Sequence, residues 1–378
     1  MALRMAEAVP EHPRGPTGLA CRPEDRACDG TPARLGREER DVRYGSAPAG
    51  ASELEIALVS HFAACGMSAP MLSIAGPLAA SSFSRVFRGE GNVFPEPVAI
   101  KQFLRDQFGG TPIEAARRYF AALQELSECG SQIGLGVSRP FLMLEASNLV
   151  VASWIDGPAL SGWLRGAAPA NRCAMLREAG IWLARLHRVT QVDSRPPDLS
   201  ERLEQTALEL AESGRMGRSR LLRRALAALL ASSTTLSKEP VQWARLHGDF
   251  KPSNLVVRHG RLFGIDVDLL MTAPVVNDLA HFLNHVEIQF YSIRALLQAR
   301  QRDDMVAAFL EGYATESCAT FPTRLLSWQR LHNAVHLLTE YRVWSRGVIS
   351  LPVRFILQRL VRSLSHDLVR QAGQEPRR

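Results

Sequence analysis

The chain has 378 residues, 46% of them apolar, enough for two lobes around a sizeable core. Lys and Arg number 45 against 38 Asp and Glu, a net charge of +7 spread mostly as arginine. This balance favours anionic ligands, but no basic stripe interleaved with aromatics and no nucleic-acid module is present, which excludes a nucleic-acid partner. Six scattered cysteines without a CxxC pair fit reduced thiols better than a disulfide framework, and with no apolar run of membrane-span length and no compact apolar N-terminal core, neither a transmembrane segment nor a secretory signal is expected, and a cytoplasmic protein is.

Residues 1–50 are rich in Pro, Gly, Arg and Glu with little aliphatic periodicity, the composition of a disordered tail. The rest divides into a β-rich stretch over 51–153 and a helical one over 154–378. Periodicity predicts an amphipathic helix over 53–65, with Leu54, Ile56, Ala57, Val59 and Phe62 on its apolar side. Strands are predicted at 71–74, 83–88 and 98–104, with a turn over 92–97. The segment Gly76-Pro77-Leu78-Ala79-Ala80-Ser81-Ser82 between the first two strands is not a G-x-G-x-x-G loop. Its small residues still allow backbone amides to approach a phosphate, with Ser81 and Ser82 as the candidate contacts; an ordinary turn reads equally well. Val98-Ala99-Ile100-Lys101 has the form of the third-strand lysine signature of protein kinases, where the strand aims an ammonium at nucleotide phosphates. A solvent-facing strand lysine is the plainer alternative.

A helix is predicted from Pro112 to about Glu128, opened by the capping box Thr111-Pro112-Ile113-Glu114 with proline at its first position. Glu114 and Glu125 are its two candidate acids for pairing with Lys101. Neither has the spacing expected of such a partner, and Glu114 already has a capping role. Residues 149–157 form an apolar strand that runs into a short connector ending in Asp156-Gly157, between the β-rich and helical halves. From Leu160 the pattern is helical. Leu183-Ala184-Arg185-Leu186-His187 closes one helix, with His187 as a packing or capping residue. Arg215, Arg218, Arg220, Arg223 and Arg224 make a basic run beside leucines, which reads as a solvated helix face or as a contact for an anionic surface.

The densest chemistry lies in Leu246-His247-Gly248-Asp249-Phe250-Lys251-Pro252-Ser253-Asn254 and, twelve residues on, in Asp266 of Gly264-Ile265-Asp266-Val267-Asp268. His-x-Asp, four residues, Asn and a downstream acidic motif is the register of the protein-kinase catalytic loop. Asp249 is placed to take the proton of an attacking hydroxyl, and Asn254 and Asp266 to hold magnesium against phosphates. A helix would put positions five apart on different faces, and Pro252 disfavours one; an irregular loop can turn Asp249 to an acceptor and Asn254 to a metal. Leu255-Val256-Val257 and Leu262-Phe263-Gly264-Ile265, joined through His259-Gly260, predict a hairpin with Asn254 at its entry and Asp266 at its exit. Only residues 269–276 separate Asp268 from Asn277-Asp278-Leu279-Ala280. That is too short for the activation loop of a peptide kinase, so a small-molecule acceptor is expected. His281 with His285, and His332 with His336, have helical i, i+4 spacing, but the glutamate of His-Glu-x-x-His is missing; packing or hydrogen bonding inside the lobe is the expectation. Phe290, Tyr291, Trp328, Tyr341 and Trp344 are either core residues or walls of an acceptor pocket.

His247-Gly248-Asp249 with Asn254, then Ile265-Asp266 and Asp278-Leu279-Ala280, resembles the aminoglycoside phosphotransferase and choline kinase family. Gly248 separates this pattern from most protein kinases, which carry arginine there, whereas Lys251-Pro252 is similar to serine/threonine kinases. The resemblance implies an α+β, two-lobed protein-kinase-like fold, with a small β-rich N-lobe and a larger helical C-lobe, and transfer of a phosphoryl group from ATP (or GTP) to a small-molecule hydroxyl with Mg2+. It implies Lys101 on the nucleotide phosphates, adenine contacts from the backbone of Ala152, Ser153 and Trp154, and Asp249 and Lys251 as catalytic residues. Asn254 and Asp266 would be the metal ligands, Asp278 would hold the catalytic loop, and Asp268 would be either a metal assistant or structural. A non-catalytic nucleotide-binding regulator is the competing class, favoured by the weak loop at 76–82 and the missing helix glutamate. The acceptor stays open among sugars, amino alcohols, aminoglycoside-like compounds and cell-envelope glycans; the excess of arginine over carboxylate in 157–245 weighs against polycations.

Overall fold

The computed structural model describes residues 49–212, 219–290, 299–317, 322–344 and 350–373, all within the unit Ser46–Arg378. Helix α1 (Ala49–Ala64) leads into β1 (Leu72–Ala80), β2 (Ser84–Gly91) and β3 (Val98–Phe103), followed by α2 (Pro112–Ile133), the short β4 (Gly136–Val137), β5 (Pro140–Leu144) and β6 (Leu149–Ser153). Five of these strands form an antiparallel sheet in the order β1-β2-β3-β6-β5. Side chains alternate across it, as the two-residue period of a strand requires. Val98, Ile100, Leu149 and Val151 pack with Leu54 and Leu58 of α1, whereas Val150 and Ala152 pack on the other face with Ala116, Tyr119 and Leu123 of α2. The two helices thus cover opposite faces of one sheet, and Lys101 emerges on the α2 side.

The second region is built from α3 (Leu160–Gly166), α4 (Pro169–Val189), β7 (Gln191–Arg195), α5 (Leu199–Glu212), α6 (Arg220–Leu236), β8 (Val241–Arg245), β9 (Leu255–Arg258), β10 (Arg261–Gly264), β11 (Thr272–Pro274), α7 (Val276–Phe290), α8 (Ala299–Ser317), α9 (Thr323–Trp344) and α10 (Ser350–Gly373). Its helices share one large apolar core. Helices α4 and α8 approach so closely that a Cβ at Gly180 would lie 2.1 Å from the Phe309 carbonyl oxygen, and one at Gly312 2.1 Å from that of Arg177. Three-stranded sheets β4-β10-β9 and β11-β8-β7 flank the segment 246–254. Among the described residues no helix is long and apolar enough to cross a membrane. The expected α+β architecture, a β-sheet region followed by a helical one, is the one observed.

Several local expectations are corrected. Ile56 is 66% exposed, and Leu58 takes its place in the core, because Leu54 and Leu58 are one helical turn apart on the same face. The first strand does not end at Ile74; it continues to Ala80 through a register irregularity between Ala75 and Ala79, so most of the expected loop is strand. The helix expected to end near Glu128 runs to Ile133, where Gly134 takes the left-handed conformation of a C-cap. Trp328 is core, since its indole is fully buried and donates to the Leu229 carbonyl at 3.0 Å. Arg220, Arg223 and Arg224 are exposed on α6 while Leu222, Ala225 and Leu226 are buried, as expected for a solvated face. Residues 1–48, Arg215, Arg218 and Tyr291 lie outside the described residues, as do the side chains of Phe290, Tyr341 and Trp344.

Candidate active site

The loop between β8 and β9 is held from beneath by one buried carboxylate. Asp278, in the first turn of α7, accepts the backbone N–H of His247 at 2.8 Å and of Gly248 at 3.1 Å. Its Oδ2 also meets His187 Nε2 at 3.2 Å, and the other nitrogen of that ring lies 3.0 Å from the Tyr313 hydroxyl. Burial acts to raise the Asp278 pKa, but the His187 hydrogen bond and charge, with His247, bring it below the usual carboxylate value. The implied loop-holding role for Asp278 therefore has a geometry, and His187 packs and hydrogen-bonds as expected. Aromatic rings anchor the loop's apolar side: Phe250 stacks on Trp182 at 5.6 Å and on Phe282 at 4.8 Å, and the His247 ring lies against Trp182 and Phe250. With Phe250 inward, Asp249 and Lys251 keep about half and a third of their side chains accessible (49% and 30%).

The hairpin joins the two acidic motifs. β9 and β10 pair from Leu255↔Gly264 to Arg258↔Arg261, and the N–H of Ile265 donates to the Asn254 carbonyl oxygen at 3.0 Å. Asp266 therefore follows directly beside Asn254. It sits at φ 59°, a left-handed conformation that Asp tolerates better than most residues. Gly264 is required by contact: a Cβ there would lie 2.2 Å from the Trp182 ring. That indole is fixed in turn by its hydrogen bond to the Gly136 carbonyl at 2.8 Å.

The side chains then converge. Asp249 Oδ2 accepts from Lys251 Nζ at 2.5 Å and from Asn254 Nδ2 at 3.1 Å, and its Oδ1 lies 3.1 Å from His281 Nε2. Burial pushes the Asp249 pKa up, but the hydrogen bonds from His281 and Lys251, with the charge of Lys251, hold it well below the carboxylate range. Asn254 spends its amide nitrogen on Asp249, which leaves its carbonyl oxygen as the end available to a ligand. From the sheet, Lys101 Nζ reaches Asp266 Oδ1 at 2.7 Å and stands over the Tyr119 ring, 4.3 Å from its centroid. Burial would lower the Lys101 pKa; Asp266 and Tyr119 together raise it. Burial also lifts the Tyr119 hydroxyl to about 12, so it stays neutral.

Neither candidate acid on α2 reaches Lys101. Glu114 caps its own helix through the Thr111 backbone N–H, 2.7 Å away, and Glu125 is bound by both terminal nitrogens of Arg245. Asp268 Oδ1 caps the backbone N–H of Leu270 at 3.1 Å, and its other oxygen is 3.4 Å from Gln107 Nε2, contacts of a structural kind. The segment after Asp268 forms β11, paired with β8, so the short connection is itself part of a sheet. In the connector between lobes, the N–H groups of Ser153 and Trp154 bond the Arg139 and Pro97 carbonyls, at 2.8 and 2.9 Å, and Ala152 is buried in the sheet. Ser81 spends its N–H on the Ser84 carbonyl and its hydroxyl on the N–H groups of Phe83 and Ser84, which leaves Ser82 at the tip of the turn.

The donors fit a magnesium ion bound with a nucleotide. Asn254 and Asp266 offer hard oxygen atoms, and Mg2+ is usually held by one or two carboxylates together with substrate phosphates and water. Among the described residues no group of three or more His, Cys, Asp or Glu could hold a metal, so the protein provides part of a coordination shell, not a cage. Sequence reasoning missed three residues here. Tyr119 and Asn333 belong to no motif. His281 was visible only as one half of an i, i+4 pair, and its hydrogen bonding inside the lobe turns out to be to Asp249 and Asn333.

Comparison with known proteins gives a family and a fold. The model of the phosphotransferase enzyme family matches residues 73–319. Among solved structures, a glucosamine kinase in complex with glucosamine, ADP and inorganic phosphate is similar with a TM-score of 0.60 at 16% identity, over 84% of this chain and 87% of the other. A thermostable mutant of the aminoglycoside phosphotransferase APH(4)-Ia gives 0.51 at 13%, over 83% and 98%. The amicoumacin kinase hAmiN, in complex with AMP-PNP, Ca2+ and Ami, gives 0.50 at 15%, over 76% and 87%. At these identities the likeness is one of fold. No curated protein matches the sequence.

Proposed function

Since the chain belongs to the phosphotransferase enzyme family, we propose that it transfers the γ-phosphoryl group of ATP to a hydroxyl group of a small molecule. The observation that carries this reading is the meeting of Lys101, Asp249, Asn254 and Asp266, from two lobes, at one place. That convergence also weighs against a non-catalytic nucleotide binder. In the reaction the acceptor oxygen bonds the γ-phosphorus, the bond to the β-phosphate oxygen breaks, and the hydroxyl proton leaves toward Asp249. Asp249, ionised and hydrogen-bonded, aligns that hydroxyl. Lys101 exchanges its contact with Asp266 for the nucleotide phosphates, and Lys251 lies where charge develops on the transferred group. Asn254 and Asp266 would hold Mg2+, which when bound neutralises phosphate charge. Backbone groups of Ala152, Ser153 and Trp154 and the turn at Ser81 and Ser82 are the proposed nucleotide contacts; the free end of that turn favours Ser82 over Ser81.

The short stretch between Asp268 and Asp278 is partly taken up by β11, paired with β8, which supports a small acceptor over a peptide. The side chains bonded to the Asp249 carboxylate are Lys251, Asn254 and His281. The nearby acid Asp266 is paired with Lys101, so a neutral or anionic hydroxyl compound suits the site better than a polycation. A phosphoryl-transfer screen over sugars, amino alcohols, glycans and aminoglycosides, with ATP and GTP, tests the reading. A product that forms with wild type and not with Lys101→Ala is expected. Failure of every acceptor, and of water, to receive phosphate would leave nucleotide binding alone.

A further inference from the structure

We infer that His281, itself fixed by Asn333, is the positioning residue that sets the orientation of the Asp249 carboxylate. The inference rests on the reading of Asp249 as the acceptor-facing carboxylate. Its own observation is a hydrogen-bonded chain across three elements: Asn333 Nδ2 on α9 lies 3.1 Å from His281 Nδ1 on α7, and His281 Nε2 lies 3.1 Å from Asp249 Oδ1 in the loop.

The two ends of this chain fix the same tautomer. An ionised carboxylate only accepts, so Nε2 must carry the hydrogen it shares with Asp249. At the other side the Asn333 amide donates, so Nδ1 must be the bare, accepting nitrogen. An imidazolium would present N–H to both partners and would turn one against the Asn333 amide. The neighbour on the same helix face does not force a charge on the pair. The His285 ring is 4.5 Å from that of His281, and burial, its largest cause, lowers its pKa to about 3.

The consequence falls on Asp249. Its Oδ2 is already occupied by Lys251 and Asn254, and His281 is the contact on Oδ1. A carboxylate has about four acceptor positions. With three in use, the remaining one is on Oδ1, and the imidazole determines where it points. Lys251 is a flexible point charge, and Asn254 holds only the inner oxygen. Without His281 the carboxylate can swing about the Oδ2 contacts, and the hydroxyl it aligns moves with it.

Two measurements on the full chain test this. Nitrogen-15 NMR of the imidazoles is expected to show His281 as the neutral Nε2–H tautomer, and Asn333→Ala to turn that signal into a tautomer mixture. An Nδ1–H tautomer or an imidazolium in the wild type overturns the inference. In steady-state turnover, with the best acceptor found or with water, His281→Leu should lower kcat by up to about 10²-fold, the scale of a 1 Å misplacement, at unchanged KM for ATP. His281→Gln, whose amide can donate from nearly the Nε2 position, should recover most of the loss. Unchanged kcat in His281→Leu, a glutamine variant as slow as the leucine one, or a matching rise in KM for ATP each overturns it. A wild type with no turnover would remove the proposed function, while the tautomer measurement still decides the His281–Asn333 arrangement.

Discussion

The ammonium of Lys101 stands 4.3 Å from the centre of the Tyr119 ring, on the helix where a carboxylate is the usual partner of this lysine. Tyr119 is buried, and a second ring, Phe103, lies 5.2 Å from the same ammonium. The lysine is thus held by ring faces and by Asp266, not by an acid on α2. An aromatic partner orients the cation without forming an ion pair that ATP would have to break.

Tyr119→Phe should therefore bind ATP almost as the wild type does, since the ring face is kept. Tyr119→Leu should weaken nucleotide affinity by a factor of about 2 to 30, the range of a cation–π contact of ~0.5–2 kcal/mol. Titration with a fluorescent ATP analogue in magnesium measures both. Equal affinities for the leucine variant and the wild type would remove Tyr119 from the site.

Asp249→Asn should reduce turnover by about 10²–10⁴-fold with nucleotide affinity little changed. The variant is nearly isosteric and keeps one accepting oxygen, but it cannot stay anionic between Lys251 and His281. Single-turnover transfer, compared with equilibrium ATP binding, separates the two effects. A variant with wild-type turnover would move the acceptor-facing role to another residue.

Gly264→Ala places a methyl where the Trp182 ring already lies 2.2 Å away. Overpacking of this kind costs about 1–3 kcal/mol, and here the strain passes to Asp266 two residues on. A lower melting temperature and weaker magnesium-dependent ATP binding are expected together. Trp182→Phe in the same chain should return part of the loss, as coupled neighbours do. Additive losses in the double variant would mean that the two residues do not compete for the same space.

His332 gives the stability a pH dependence. Burial first, then the charges of His336 and Arg202, lower its pKa from 6.5 to about 3, and Thr206 Oγ1 lies 2.9 Å from its Nε2. The folded chain keeps this ring neutral while the unfolded chain protonates it below its ordinary pKa. In the window from 6.5 down to about 3 the unfolded state therefore binds more protons, and stability falls as pH falls, by up to ~1.4 kcal/mol per pH unit for such a group. Denaturant unfolding at intervals from pH 7.5 to 4.5 should show a shallower decline for His332→Gln than for the wild type. Parallel curves would assign the decline to other groups.

Much of this was legible from residue order. The strand around Lys101, the loop from His247 to Asn254, the hairpin to Asp266, the Thr111–Glu114 box and the short link to Asp278 are local patterns, and each is set by nearby residues. What could not be read depends on contacts between distant segments. Tyr119 meets Lys101 only because the face of α2 that covers the sheet carries it, and a helix period alone does not say which partner a face will find. Asn333 meets His281 across 52 residues, through the packing of α9 on α7. Ile56 looked apolar and inward, but the sheet below selects Leu54 and Leu58. The turn at Ser81 was shortened because β1 absorbed most of the expected loop.

The tie between Glu125 and Arg245 bears on how such a protein can be governed. Arg245 is the last residue of β8, immediately before the loop that carries Asp249, so α2 is bound to the strand that feeds the chemistry. The same helix is closed at its start by Thr111 and Glu114 and pressed on the sheet through Tyr119 and Leu123. Kinases switched by moving this helix make and break a lysine–glutamate contact as it travels. The described contacts of Lys101 are with Asp266, Phe103 and Tyr119, so in the proposed enzyme a shift of α2 would draw Tyr119 off the ammonium and strain the tie to Arg245, with no lysine–glutamate pair to break.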